Sequence, residues 1–193
     1  DLSWHTYSGS GENNIFGTPK KENSAAAAGG GESNSPAPEQ NPEPLKILIS
    51  EVQTTGGTGQ ADNEFIELYN PNNSAIDLSV LPLKLHIRNS SGTDNHKILT
   101  FINNTVPAKG YFLIGPSIGY TGAVPLDATY SAGSGNKLVN NGGVYISKSA
   151  TADTDILDKV GWGTQPVGGY ETAAFLENPI ANQSISRQSE TDS

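Results

Sequence analysis

Cysteine and methionine are both absent from this chain of 193 residues. Without cysteine there are no disulfide bonds, no thiolate metal ligands and no cysteine nucleophile. No apolar run approaches the roughly 20 residues that a transmembrane helix needs, and no signal peptide is visible at the start. Because the chain lacks an initiator methionine, we expect it to be a piece of a longer protein.

Basic residues are also scarce. Lys and Arg number 11 against 20 Asp and Glu, which gives a formal net charge of −9. Proteins that bind nucleic acids or anionic membranes nonspecifically use cations to neutralise phosphate groups. The charge balance therefore predicts no nucleic-acid partner, and we expect no insertion into a membrane.

The composition changes sharply near residue 45. Residues 24–44, SAAAAGGGESNSPAPEQNPEP, contain no large apolar side chain. Such a segment cannot bury enough surface to offset the entropy lost on ordering. We therefore predict a flexible linker over 24–44, a remnant of an upstream segment over 1–23, and a folded domain over 45–193.

The folded part consists of short apolar runs separated by Gly, Pro, Asn and Asp, a pattern typical of an all-β sandwich. The predicted strands cover 45–52, 63–69, 75–79, 83–88, 97–102, 110–115, 137–139, 144–147, 155–162 and 183–187. A long Gly-rich loop is expected over 116–136. The Asn-Gly turn after 137–139 predicts a hairpin with 144–147, because Asn and Gly supply the positive φ angles of tight turns.

Two glutamates in the segment NEFIELY raise the question of a catalytic carboxylate pair. The segment is rich in aromatic and branched residues and ends at Asn-Pro, so it is predicted to be a strand. Side chains alternate between the two faces of a strand, which places Glu64 with Ile66 on one face and Glu67 on the other. A glycosidase-type pair must flank one bond, so Glu64 and Glu67 do not form such a pair.

Nucleophilic catalysis needs a base close to the nucleophile. The imidazoles available are those of His5, His86 and His96, and no nucleophile motif of the G-x-S-x-G kind occurs. His86 falls within a predicted strand and His96 in a polar turn. We therefore predict no enzymatic activity, no catalytic residue and no cofactor.

The segment DTDILD groups Asp153, Asp155 and Asp158. Calcium prefers clustered carboxylate oxygens, but the spacing departs from that of an EF-hand loop. A solvated turn is the favoured interpretation, and a calcium site is the alternative.

Several motifs resemble the lamin tail domain in its bacterial form. The similarity begins with ILISEVQ (47–53) and NEFIELYNPNNSAIDLS (63–79), and it continues through 106–115, 138–147, 156–163 and 182–187. The resemblance implies an immunoglobulin-like β-sandwich. The family usually has Gly-Trp after Asp-Leu-Ser, where this chain has Val80 and Leu81. We expect Leu81, Leu83 or Leu85 to fill the missing volume.

The motif residues are expected to have structural roles. They are Glu51, Glu64, Phe65, Glu67, Tyr69, Asn70, Pro71, Asp77, Leu78, Trp162 and Arg187. A carboxylate near a strand end can accept backbone N–H bonds from a turn, and we expect this of Glu51 and Glu67. Asn70 and Pro71 would form a turn, and Trp162 would be buried. Arg187 is expected at the surface or as a hydrogen-bond donor between loops.

The resemblance also implies a function, because bacterial members of this family are commonly attached to extracellular enzymes and surface proteins. We expect a noncatalytic binding or tethering module, located outside the cell or on its surface, whose partner is a protein or a surface polysaccharide. A passive spacer beside a catalytic domain is the first alternative. A lamin-like scaffold with nuclear partners is the second, and the acidic charge argues against it.

Overall fold

The structure is a computed structural model that describes residues 4–7, 45–133, 137–164, 170 and 173–187. The strands, in chain order, are β1 Trp4–Tyr7, β2 Leu48–Gln53, β3 Phe65–Tyr69, β4 Ile76–Asp77, β5 Lys84–Arg88, β6 Asp94–Lys97, β7 Leu99–Phe101, β8 Thr105–Val106, β9 Tyr111–Pro116, β10 Ala128–Tyr130, β11 Gly143–Ser147, β12 Ile156–Gly161 and β13 Ser184–Arg187. None of the described residues forms a helix long and apolar enough to cross a membrane.

The strands form two main sheets. The large sheet has seven strands in the order β1-β13-β2-β3-β9-β10-β7, and the small sheet has four in the order β12-β11-β5-β6. Strands β4 and β8 make a separate two-stranded sheet. The described pairs are antiparallel except for β9 with β10. The predicted all-β, immunoglobulin-like sandwich is confirmed.

The core lies between the inner faces of the two main sheets. Alternation along the strands supplies it, with Ile66 and Leu68 from β3 facing Leu85 and Ile87 from β5. A second, smaller cluster lies on the outer face of the large sheet around Phe65. Phe65 and Ile66 therefore belong to different clusters, because successive side chains of a strand point to opposite faces.

A β-bulge interrupts the pairing of β2 with β3. The register shifts between Ile49 and Glu51, so Ser50 is the extra residue. Strict alternation from Ile49 would turn Val52 away from the core, yet both side chains are buried in it. The extra residue restores the inward direction, because a bulge changes which face the following residues point to.

The predicted strand over 97–102 is wrong in detail. The chain leaves the small sheet after β6 and enters the large sheet at β7, with Ile98 between them. His96 consequently lies in β6 instead of in a turn. The predicted loop over 116–136 also contains a strand, β10, which pairs with both β9 and β7.

The predicted hairpin between 137–139 and 144–147 is wrong as well. Strand β11 pairs with β5 on one side and β12 on the other, so both of its edges are occupied. The expected positive φ angle occurs at Asn141, with a φ of 53°, but not at Gly142. Strand β5 pairs with β11 along all five of its residues, more than the three residues over 137–139 could offer.

Residues 4–7 were expected to lie outside the domain, but β1 pairs antiparallel with β13. Trp4 is the register partner of Arg187. The predicted linker over 24–44 lies outside the described residues.

The leucines that follow Val80 occupy the region where the family usually has a tryptophan. Leu81, Leu83 and Leu85 are all buried, whereas Val80 is 79% exposed. We expect Leu81→Ala to lower the free energy of unfolding by about 2 kcal/mol or more, because it leaves a cavity. Val80→Ala should change it by no more than about 0.5 kcal/mol. Urea denaturation of both variants measures the difference, and equal losses would contradict this packing.

Candidate functional site

A buried ion pair joins the two sheets. The Arg187 Nη2 atom donates to Asp158 Oδ1 at 2.9 Å and to Oδ2 at 2.7 Å. Arg187 lies on β13 of the large sheet and Asp158 on β12 of the small sheet. Both side chains are almost fully buried. The expectation that Arg187 lies at the surface is therefore wrong.

The same two side chains bind the backbone beside the β2 bulge. The Ile49 N–H donates to Asp158 Oδ2 at 2.6 Å, and the Ile49 carbonyl accepts from Arg187 Nε at 3.1 Å. A bulge disrupts the local ladder of backbone hydrogen bonds. Here the ion pair takes one donor and one acceptor of the bulged strand, so Asp158, Arg187 and Ile49 form one closed unit, the Asp158–Arg187 clasp.

Glu51 and Glu67 are register partners on adjacent strands, and both are fully buried. The Ser184 hydroxyl donates to Glu51, and the Ser50 hydroxyl donates to Glu67 at 2.7 Å. Sequence reasoning expected backbone N–H donors from turns. The donors shown here are serine hydroxyls, one on the bulge and one on β13.

Glu64 belongs to a different network. Its carboxylate accepts from the Tyr130 hydroxyl at 2.8 Å and from the Leu138 N–H at 2.9 Å. Burial raises the pKa of Glu64 to about 7, although the two hydrogen bonds act in the opposite direction. Burial also raises the pKa of Tyr130. Glu64, the residue before β3, thus connects the start of that strand to β10 and to the segment before β11. It shares none of these contacts with Glu67.

Asn70 organises the turn that follows β3. Its side-chain amide donates to the carbonyls of Ser74 and Pro107, each at 2.9 Å, and its oxygen accepts from the Asn72 N–H at 2.9 Å. Pro71 lies within this turn. Asparagine is suited to this position because its side chain can satisfy backbone groups of neighbouring loops.

Three other motif residues also have structural contacts. Asp77 accepts from the Ser79 N–H at 2.8 Å and from its hydroxyl, and these bonds lower the pKa of Asp77. Leu78 is part of the main core. The Tyr69 ring lies 5.0 Å from that of Tyr111.

Trp162 is fully buried between the sheets. Its indole Nε1–H donates to the Val139 carbonyl at 2.8 Å, which satisfies the one polar atom of the side chain. Its backbone forms an isolated bridge with Phe175. The remaining motif residue, Phe65, occupies the smaller cluster on the outer face of the large sheet.

The structure does not bring Asp153, Asp155 and Asp158 together, as a calcium site built from all three would require. Asp158 points inward to the clasp, whereas Asp153 binds Arg88 at 2.8 Å near the surface. Asp155 is exposed to solvent. Within the part of the chain that the structure describes, no group of three or more side chains is placed to hold a metal ion.

The structure reveals one polar cluster that sequence reasoning missed. His86 is fully buried, and its ring stacks on Tyr145 with centroids 4.3 Å apart. Its Nδ1 atom lies 2.9 Å from Asp94 Oδ2, and its Nε2 atom lies 2.9 Å from the Ser149 carbonyl. The alternation of KLHIR gave a signal, since it predicts that His86 leaves the core face of β5.

Ser147, His86 and Asp94 are side by side in the way that the serine, histidine and aspartate of a hydrolase triad are. Ser147 Oγ lies 3.2 Å from His86 Nε2, and Asp94 lies beside the other ring nitrogen. The chemistry differs from that of a triad. The Ser147 hydroxyl donates to the Ser149 carbonyl, and His86 Nε2 faces the same acceptor. Both ring nitrogens therefore face oxygen acceptors. The cluster holds the loop over 148–155 against the small sheet.

A family model described as Lamin Tail Domain matches residues 40–164. The chain belongs to the lamin tail domain family. This confirms the resemblance found in the motifs. The matched range runs from before β2 to the end of β12, so Arg187 of the clasp lies beyond it. No curated protein matches the chain.

The clasp of this lamin tail domain gives a stability prediction. Asp158→Ala should lower the free energy of unfolding by about 3–5 kcal/mol, because it leaves a buried guanidinium without its counter-charge. The double variant Asp158→Leu with Arg187→Met should lose less than the sum of its single changes, because no unpaired charge remains. Chemical denaturation measures all of these variants.

The pair between Asp153 and Arg88, in which the aspartate side chain is 61% exposed, is the matched control for the clasp. Asp153→Ala should cost at most about 1 kcal/mol, because solvent weakens a surface ion pair. Losses of similar size for Asp153→Ala and Asp158→Ala would contradict the importance of the clasp.

Glu64 gives a pH prediction. Its folded pKa of about 7 lies above its ordinary value of 4.5, so the folded state holds the proton more tightly than the unfolded state. This stabilisation is fully present below pH 4.5 and is lost as the pH rises through 7, by up to about 3 kcal/mol. Glu64→Gln should remove this part of the dependence. Denaturation curves at several pH values test it, and wild-type and variant profiles that stay parallel would contradict it.

Proposed function

We propose that this lamin tail domain is a noncatalytic tethering module of a larger bacterial protein that is secreted or attached to the cell surface. The partner that we propose is a protein or a polysaccharide of that surface. The bacterial character of the motifs supports the cellular context. One structural observation carries the noncatalytic role, and a second agrees with it.

The first observation is the burial of five ionisable side chains in the motifs, whereas Asp77 is exposed and accepts hydrogen bonds from Ser79. Glu51, Glu64, Glu67, Asp158 and Arg187 are all buried, and each is hydrogen-bonded inside the domain. Burying a charge is costly unless internal partners offset the lost hydration. Side chains committed in this way hold the fold together and are withdrawn from contact with a substrate.

The enclosed imidazole supports the same conclusion. A general base must reach the proton that it removes, whereas His86 is fully buried beneath the loop over 148–155. Its neighbour Ser147 is also fully buried. A hydrolytic role for this cluster would require the loop to leave the sheet and both hydrogen bonds of the ring to change.

The position of the outer strands favours a tether over a spacer. Trp4 on β1 is the register partner of Arg187 on β13, so the first and last described strands lie side by side. Sequence attached before β1 and after β13 would therefore start from the same end of one sheet. A spacer that separates two domains would gain little length from this arrangement.

Cosedimentation of the full chain with purified bacterial cell walls tests the proposal. We expect retention on the walls, and no binding to duplex DNA at low salt by fluorescence anisotropy, because the net charge of −9 repels phosphate groups. An unrelated β-sandwich domain of the same net charge controls for nonspecific adsorption. Retention no greater than that of the control would reject the tether and leave the spacer as the better description.

A further inference from the structure

Strand β7 is the last strand of the large sheet and pairs only with β10 among the described strands. The Ile102 N–H donates to the Asp127 carbonyl at 2.7 Å. Antiparallel ladders alternate between hydrogen-bonded and non-hydrogen-bonded pairs. The backbone groups of Thr100 consequently point towards β10, whereas those of Leu99 and Phe101 point away from the sheet, where another strand could meet them.

The side chains of this edge divide between two faces. Leu99 and Phe101 pack against the main core. Ile98 is 81% exposed and Ile102 is 63% exposed, and the exposed Thr100 lies between them. Ile98 and Ile102 flank the three residues of β7, and strand alternation continued to both flanks places these three side chains on one outward face. The unpaired backbone groups of an edge strand can pair with another chain, and here exposed apolar side chains lie at both ends of the strand.

We propose that β7 is an interface between two copies of this chain, paired antiparallel about a two-fold axis at Thr100. Such an interface must be self-complementary, because the same residues contribute from both sides. The sequence ILTFI meets this condition. Ile98 would face Ile102 of the second copy, Leu99 would face Phe101, and Thr100 would face its own equivalent. Apolar cross-strand pairs of this kind stabilise a sheet.

The distribution of charge is compatible with this pairing. No charged residue lies between Lys97 and Lys109, and no proline occurs in β7, so these two protections of a sheet edge are missing there. The protection that remains is the shortness of β7, which has three residues. In the two-fold arrangement Lys97 faces Asn103 of the second copy, so like charges do not oppose each other. The net charge of −9 repels the copies at longer range, and added salt should therefore strengthen the association.

The expected dimer is transient. A contact built from one short strand and two isoleucines is smaller than the roughly 1,200 Å² that stable interfaces bury. Covalent trapping is therefore the suitable readout. The chain has no cysteine, so a single introduced cysteine can form a disulfide only with a second copy.

Thr100→Cys in the full chain is the first test. A non-hydrogen-bonded antiparallel pair has a Cα separation of about 4.5 Å, which lies within the range that disulfides accept. Under mild oxidation we expect a doubling of mass on a nonreducing gel. Val80→Cys, exposed but distant in sequence from β7, is the matched control for random collision. Dimer formation no faster than in Val80→Cys would overturn the proposal.

The register gives a second test that depends on direction. Ile98→Cys and Ile102→Cys should form a disulfide-linked heterodimer when the two variants are mixed, and neither should dimerise efficiently by itself. In the antiparallel arrangement each of these residues lies about four strand positions from its own equivalent. Self-linkage of Ile98→Cys as fast as linkage in the mixture would reject the two-fold register.

A third variant keeps the test independent of disulfide chemistry. Thr100→Lys places two like charges opposite each other at the axis. We expect it to lose the concentration-dependent association of the wild type in sedimentation velocity, with no change in melting temperature because Thr100 is exposed. A wild type that stays monomeric at high salt and high concentration would also reject the interface. None of these outcomes depends on binding to cell walls.

Discussion

The Asp158–Arg187 clasp is the constraint on which the rest of the domain depends. It is a fully enclosed ion pair in which each charge has a second partner on the backbone of Ile49. Buried charges are tolerated only when geometry and additional hydrogen bonds repay their lost hydration. The β2 bulge provides those bonds, and the clasp in turn fixes the bulge. Sheet pairing, sheet packing and the direction of β2 are therefore linked at one point.

The other buried polar residues of the motifs also have hydrogen-bond partners inside the domain, although each of these networks is smaller than the clasp. Glu64 connects three segments of the chain. The Asn70 amide donates hydrogen bonds to carbonyls of two loops, and Glu67 accepts a hydrogen bond from the hydroxyl of Ser50 in the bulge. A β-sandwich buries many irregular backbone groups at its corners, and each needs a partner. In this lamin tail domain the polar motif residues supply those partners, which explains why motifs rich in carboxylates need not indicate catalysis.

Local patterning predicted the fold class, most strands and the separation of Glu64 from Glu67, because alternation acts between neighbouring residues. Features set by distant partners were not predictable in this way. The break at Ile98 depends on which sheet each half joins, and the burial of Arg187 depends on an aspartate far away in sequence. His86 was placed on the correct strand, but its enclosure depends on the loop over 148–155.

The side-by-side arrangement of β1 and β13 also has a mechanical consequence. A force applied through Trp4 and Arg187 would act on one end of an antiparallel pair, so its hydrogen bonds would open one after another, as in a zipper, instead of sharing the load. Once β1 had peeled away, the force would reach β13 at Arg187, where the clasp is located. The domain would then unfold under force in two stages. The outer strand would detach at low force, and the buried ion pair would resist until a higher force was reached.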